Sequence, residues 1–422
     1  MGLWLIPMYY VAASVVCGVT LPRIEQAYFG SFTLNLSVAS AQAFLSAAAS
    51  GMMSLTAIVF AMAFIMVQFS AIAYSPRLVL WFIRDQTVFH SLGIFAATFI
   101  YALFTLAWTD RGASGTVPLF SAILVGLMLI VSMLLFSRLM QRLTDLQITN
   151  VLHLIGDKGR DVIHAMFDSP AVSPATPSEF AKRSVEPMRL VPATQTLIYS
   201  GKPGTIAELD VRALVRQARE VGATIVMKCA VGDTLVEGTE LLQVHGGKIP
   251  EKSLLHAVRL ERGRTFEQDP KYPIRLLVDI AIRALSPAIN DPTTAVQTID
   301  QIEDLLRRLG SHALDTGYAA DTDGVVRLVY PMPTWEDYLT LAFDEIRQYG
   351  STSVQVLRRL RSALVDLAAY LSGTERADAV RHYLEQLDLD IDHSPLDAED
   401  RLRARQEDRQ GLGLSRRAVQ VS

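Results

Sequence analysis

The chain has 422 residues, a formal net charge of −4 and a hydrophobic fraction of 50%. The length allows more than one domain, the apolar share exceeds what a soluble chain needs, and the slightly negative balance excludes a global basic field for nucleic acid. The two cysteines, Cys17 and Cys229, lie far apart, which excludes a secreted-type disulfide framework and suits a reducing compartment.

The apolar residues concentrate before about residue 140. Four segments, 3–21, 52–73 (with a small-residue lead-in from Ala41), 88–108 and 117–136, approach the ~20 residues that a helix needs to cross hydrocarbon. The first lacks a basic flank and is interrupted by Tyr9-Tyr10, so it reads as an anchor rather than a signal peptide. Arg77 and Arg84 lie between the second and third segments, and Arg138 and Arg142 follow the fourth. On the other side, Arg23 and Arg111 are offset by Glu25 and Asp110. This asymmetry places both chain ends at the cytoplasmic face. Trp4, Trp81 and Trp108 fall near the expected interfaces. The span centres carry no Asp, Glu, Lys or Arg, which counts against a proton-coupled carrier. Gln68, Ser70, His90, Tyr101 and Thr105 are the polar candidates there, either bonding a neighbouring helix or lining a pore. The run 47–51, Ala-Ala-Ala-Ser-Gly, lets backbones approach closely. Ser75-Pro76-Arg77, with Arg84 and Asp85, either sets topology or meets lipid phosphate or the soluble half.

From Arg138 the helix continues with apolar residues at Leu139, Leu143, Leu146, Val151 and Ile155, so 141–168 reads as a stalk suited to oligomer formation. Residues 169–188, rich in Pro, Ser and Ala, read as a linker. Residues 189–246 form a small β-rich module. Strands are expected at 195–199, 205–209 and 224–229, a helix capped by Asp210 at 211–221, and a Gly-Asp hairpin at 231–244. The pattern resembles half of a barrel-sandwich module, although the flanks of a modified lysine are missing around Lys202. Residues 254–260 read as helical. Arg259, Arg262 and Arg264 alternate with Glu261, Glu267 and Asp269, which reads as a self-compensated surface before an anion site.

Residues 273–285 form an apolar helix on which Arg275, Asp279 and Arg283 share one face. Ser286-Pro287 ends it. Asn290 or Asp291 caps the next helix, with Pro292 in its first turn, and that helix runs to Gly310. Ser286, Asn290, Asp291 and Thr294 thus have two readings. One is a helix break plus cap; the other is a small site for a cation, nucleotide or polar metabolite. A strand at 325–331 and helices at 335–349, 351–371 and 375–387 complete an α+β domain over 247–390. The charged residues 391–422 have the composition of a disordered tail.

Arg264-Thr265-Phe266-Glu267-Gln268-Asp269-Pro270, followed by the run from Leu276 through Ser286-Pro287-Ala288-Ile289-Asn290-Asp291-Pro292 to Ala295, resembles the hallmark of domain-of-unknown-function family 2254, predicted bacterial membrane proteins. Gln68-Phe69-Ser70 and Ser75-Pro76-Arg77 belong to the same likeness. It implies a polytopic inner-membrane protein, and it brings no activity and no catalytic residue. The expected fold is therefore an α-helical transmembrane domain of four spans over 1–140 followed by a cytosolic α/β (α+β) domain. No Ser/His/Asp spacing, metal-ligand pattern or Walker loop is present, and no cofactor is called for. The expected partners are the lipid bilayer, further copies of the chain and a small polar ligand or ion, not nucleic acid. An oligomeric channel-like or transport-related assembly with a gating or sensing domain ranks first. A membrane-anchored sensor or scaffold follows, and then an enzyme using 286–294.

Overall fold

The computed structural model describes residues 5–29, 37–73, 86–111, 118–145, 147–167, 191–314 and 316–413. They belong to two compact units, Met1–Gln147 and Ile148–Ser422. The expected linker at 169–188, the turn residues Ser75-Pro76-Arg77, Arg84 and Asp85, and residues 414–422 lie outside the described residues.

The first unit contains helices α1 (Leu5–Phe29), α2 (Val38–Ala73), α3 (Gln86–Arg111) and α4 (Leu119–Asp145). All four are long and apolar enough to cross a membrane. Helix is the form in which such a segment satisfies its own backbone polar groups. The hydroxyls are satisfied in the same local way. Thr56, Ser91, Thr98, Thr105, Thr109 and Ser132 each donate to the carbonyl four residues earlier. Glycines set the closest helix contact: a Cβ on Gly18 would lie 2.8 Å from Phe104, and one on Gly93 2.5 Å from Tyr10. Beside them Ser14 Oγ donates to the Ala97 carbonyl at 2.6 Å, so α1 and α3 run in the same direction. Leu45 and Ala48 pack with Tyr101, and Met52 and Val59 with Phe95 and Leu92, so α2 runs opposite to α3. Glu25, read from the sequence as offsetting Arg23, accepts from the Phe120 and Ser121 amides at 2.7 and 3.1 Å. It caps the N-terminus of α4.

In the second unit, α5 (Ile148–Phe167) is followed by β1 (Ala193–Ile198), β2 (Gly204–Leu209), α6 (Val211–Glu220), β3 (Thr224–Met227), β4 (Thr234–Leu235), β5 (Glu240–His245), α7 (Glu251–His256) and β6 (Val258–Glu261). Then come α8 (Lys271–Ala284), α9 (Pro292–Leu309), β7 (Thr316–Ala320), β8 (Val326–Pro331), α10 (Trp335–Tyr349), α11 (Val354–Tyr370), α12 (Glu375–His393) and α13 (Ala398–Ala404). A five-stranded sheet has the order β1-β5-β3-β8-β7, and a three-stranded sheet has the order β4-β2-β6. Both sheets contribute to one core, in which Ile206, Leu214, Ile225, Leu235, Leu241, Val244 and Leu328 are all fully buried.

Three expectations change. The β module is not confined to 189–246: β8 pairs in parallel with β3, Ile225 against Leu328 and Val226 against Val329. No closed barrel forms among the described strands. Residues 258–261, read as helical, are strand β6, because Arg259 and Leu260 pair with Glu208 and Ile206 of β2. The tail read as disordered is ordered to Gly413. Asp397 caps α13, and buried Arg358 donates to the Gly413 carbonyl at 2.8 Å and the Gln406 carbonyl at 3.3 Å. Asp408, 3% exposed, accepts from the Gly411 and Gly413 amides.

The stripe read as a stalk is also redirected. α4 ends at Asp145 and α5 begins at Ile148. Val151, Leu152, Ile155, Val162 and Ile163 are buried within the second unit, where α5 packs on α8 and α9. Gly156 and Gly159 permit the approach: a Cβ on Gly159 would lie 2.7 Å from Leu305 and 3.3 Å from Pro273, and one on Gly156 would overlap Gln301.

Candidate functional site

The connection between α8 and α9 is built almost wholly from local bonds. Ser286 Oγ donates to the Arg283 carbonyl at 2.7 Å. The Ile289 and Asn290 amides donate to the Ser286 carbonyl at 3.0 and 2.9 Å, and the Asp291 amide reaches back to the Ala284 carbonyl at 2.8 Å. Asn290 has φ of 51°, a left-handed conformation that Asn tolerates better than most residues. Asp291 caps α9 and accepts from the Thr294 amide at 3.2 Å and the Thr294 hydroxyl at 2.6 Å. Pro292 follows in the first turn, where its missing N–H removes nothing. Residues 287–290 are exposed, with Ile289 at 42%.

Of the three charged residues expected to share one face of α8, Arg275 and Asp279 meet and Arg283 does not join them. Arg275 Nε donates to Asp279 at 2.7 Å, and its two terminal nitrogens grip Glu345 of α10, one of them at 2.9 Å. The Glu345 pairing, with Asp279 beside it, raises the Arg275 guanidinium above its already high range against the pull of burial. Arg283 is half-buried and has no ion-pair partner among the described residues.

The preceding motif, 264–273, is a clamp. Gln268 uses both ends of its amide on Leu209 of β2, accepting from the amide at 2.9 Å and donating to the carbonyl at 3.2 Å. Asp269, 2% exposed, pairs with Arg264 at 2.9 Å and accepts from the Lys271 amide. Burial pushes the Asp269 carboxyl up despite Lys271 and Arg264. Arg259 bridges Glu208 and Glu267, the compensated surface that the alternating charges suggested.

In the first unit, His90 Nδ1 lies 3.1 Å from the Tyr10 hydroxyl. Gln68 is exposed on α2, and the Ser70 side chain lies outside what is described. The sequence missed Glu345, the Gly156/Gly159 contact and the network of buried Arg359, which binds half-exposed Asp300 and buried Glu303, each at 2.7 Å. A glycine pair three residues apart on a helix was the available signal for the second. Among the described residues no three His, Cys, Asp or Glu side chains gather to hold a metal ion.

Four helices long and apolar enough to cross a membrane, followed by a mixed sheet-and-helix unit, define the class as a membrane protein. The chain belongs to the family described as "Predicted membrane protein (DUF2254)", which matches residues 1–366. It is 25% identical over 397 residues to uncharacterized protein Mb1321c of Mycobacterium bovis and, at the same identity and length, to uncharacterized protein Rv1290c of Mycobacterium tuberculosis. Each match covers 90% of this chain and 74% of the relative. No solved structure matches the chain.

Proposed function

We propose that the chain is a four-span protein of the bacterial inner membrane, with both ends cytoplasmic, that assembles with copies of itself into a channel-like complex. The second unit is its cytosolic gating or sensing domain. One observation carries this reading. On α2, Ala43, Ala47, Ser50, Gly51, Ser54, Ala57 and Ala61 lie along one exposed face, which also carries exposed Ile58 and Ile65 before it reaches exposed Gln68. A Cβ on Gly51 would meet nothing within 4 Å, while neighbouring Ala48 and Ala49 are buried against Tyr101 and Val125.

A run of small residues with two hydroxyls is the composition of a helix contact more than of a lipid-facing surface. Small residues let helices approach, and an exposed amide in hydrocarbon seeks a polar partner or water. The hydroxyls inside the four-helix unit bond back to their own helices, which supports a path between copies rather than within one. The absence of charge from the span centres suits passive passage better than proton coupling. The test is solute flux from proteoliposomes. The expected result is release that a Gly51→Leu variant abolishes together with the oligomer. Intact oligomers that release neither ions nor small neutral solutes would leave the second reading, a membrane-anchored scaffold, in its place.

The motif at 286–294 supports structure rather than chemistry. Ser286, Asp291 and Thr294 are engaged in turn and cap, and Asp279 with Arg275. An enzymatic reading would need these groups directed into an open site.

A further inference from the structure

Three side chains of the 264–271 segment converge on one turn. Residues 228–233 join β3 of the five-stranded sheet to β4 of the three-stranded sheet, so this turn is the crossing between the two sheets. Gly232 has φ of 90° there. No side chain fits on it: a Cβ would lie 2.4 Å from Asp269 Oδ2 and 2.9 Å from a terminal nitrogen of Arg264. Lys271 Nζ, from the first turn of α8, donates to the Val231 carbonyl at 3.3 Å. Arg264, Asp269 and Lys271 therefore grip the crossing from the side of α8.

The grip has a part that a proton can alter and a part that it cannot. The first is the Arg264–Asp269 pair at 2.9 Å, in which the carboxylate is 2% exposed and the guanidinium 37% exposed. The second is Gln268, whose uncharged amide is bonded at both ends to Leu209 of β2. Beside it the Tyr272 amide donates to the Asp269 backbone carbonyl at 3.1 Å.

The charges around Asp269 are few. Burial pushes its carboxyl up, and the cations Lys271 and Arg264 oppose that without cancelling it. On the helical side the titratable neighbour is Tyr338 of α10. Tyr338 is fully buried, its hydroxyl has no hydrogen-bond partner among the described residues, and burial keeps it protonated and uncharged. On the sheet side Asp233 is turned to its own loop, where it accepts from the Ala230 amide at 2.8 Å. Glu267 is held by Arg259 at 3.1 Å.

We infer that the Arg264–Asp269 pair is a proton-operated latch on the crossing between the two sheets. Proton uptake by Asp269 removes the charge that holds Arg264. The partly exposed guanidinium then leaves for water, and the segment around Arg264 loosens over Gly232. Gln268 keeps the rest of the connection docked on β2. A carboxyl raised by burial is penalised while it is charged, so a proton relieves that penalty as pH falls through the raised value. Acid therefore opens the latch without unfolding the unit through this group. The latch belongs to the second unit alone and does not depend on whether the spans conduct.

The experiment uses the full chain with Cys17→Ser and Cys229→Ser, carrying a nitroxide at Gly263→Cys, where a Cβ meets nothing within 4 Å. The control label is at exposed Ser372→Cys. Electron paramagnetic resonance spectra are recorded from near-neutral pH into the acid range. The label at 263 is expected to pass from slow to fast motion with a midpoint above the ordinary Asp value of about 3.9. The label at 372 should not change over the same range. Arg264→Gln should give fast motion at every pH, and so should Asp269→Asn, whose amide stands in for the protonated acid. A spectrum at 263 that ignores pH, a midpoint at or below about 3.9, or an acid response that survives in Arg264→Gln overturns the inference. Arg264→Gln changes a partly exposed side chain, so it keeps the test decisive if Asp269→Asn misfolds. A label-free arm retains both native cysteines. The Gly232 amide, bonded to the Ile206 carbonyl at 2.8 Å, should exchange several-fold faster in Arg264→Gln than in wild type near neutral pH. That ratio, taken at matched pH so that intrinsic exchange cancels, should approach one in acid. A ratio of one near neutral pH, or one that does not fall with pH, counts against the latch.

Discussion

Substituting Gly159 by alanine sets two effects of similar size against each other. Alanine gains about 1 kcal/mol of helix propensity over glycine. Its Cβ, however, would lie 2.7 and 2.8 Å from the two Leu305 methyls and 3.3 Å from Pro273. Leu305 is fully buried on α9, so its methyls have nowhere to retreat, and overpacking of this kind costs about 1–3 kcal/mol. The balance is a net loss of up to about 2 kcal/mol in the docking of α5. Gly156→Ala is the matched control. There the new methyl meets the amide end of Gln301, which is partly exposed and can swing away with loss of its 3.3 Å bond from Arg160. Propensity should then win by about 0.5 kcal/mol. The assay is hydrogen exchange of the Val162 and Ile163 amides, which reports local opening. Gly159→Ala should accelerate their exchange by up to about 30-fold, and Gly156→Ala should slow it slightly. Adding Leu305→Ala to Gly159→Ala should cost less than Leu305→Ala in the wild-type background, a coupling on the order of 1 kcal/mol. Equal protection in the two glycine variants, or strict additivity with Leu305, would refute the close-contact reasoning.

Asp291→Ala should destabilise α9 by about 1 kcal/mol in thermal unfolding, while Asp291→Ser, which keeps a capping oxygen, should lose little; equal losses would argue that the carboxylate does more than cap. Arg275→Ala strands Asp279 and Glu345 and should cost about 2–3 kcal/mol, more than Glu345→Gln. Arg358→Ala should expose 394–413 to trypsin, cutting at Arg401, Arg403 and Arg405, in protein whose upstream part remains intact; unchanged resistance would show that Asp408 and the Gly411–Val296 contact hold the tail alone. Burial works against charge on Asp304, but Arg308 and Arg160 hold its carboxyl below the usual range. Its contribution to α5 docking is therefore complete above the ordinary carboxylate value and is lost as pH falls through the depressed one. Acid should accelerate exchange in α5, and Asp304→Asn should flatten that dependence.

What the sequence disclosed were features whose causes lie within a few residues. Apolar runs of spanning length mark α1 to α4. Ser286-Pro287, Asp291 and Pro292 announce a break, a cap and a first turn because the bonds that make them join neighbours. Thr334 and Asp337 announce α10 in the same way, each side chain bonding the other's amide. Long-range partners were hidden. Arg275 shows its Asp279 neighbour on the helix but not Glu345, which is remote in sequence. β3 gives no sign that β8 will pair with it, since alternation fixes which face is buried and not which strand lies alongside. The stripe on α5 told that one face is covered and left the cover unnamed: it is α8 and α9. The tail read as solvated because its arginines and acids dominate composition, whereas its order comes from buried Arg358 and Asp408 bonding backbone.

The most direct test of the proposed assembly is water access along α2 in the membrane, read by a membrane-impermeant thiol reagent on single cysteines in a Cys17→Ser, Cys229→Ser background. The account predicts that Ser50→Cys and Ser54→Cys react, while Phe60→Cys, on the apolar side of the exposed surface and 53% exposed, stays inert. Reaction at Phe60 with silence at Ser50 and Ser54, or silence at all three, would contradict it.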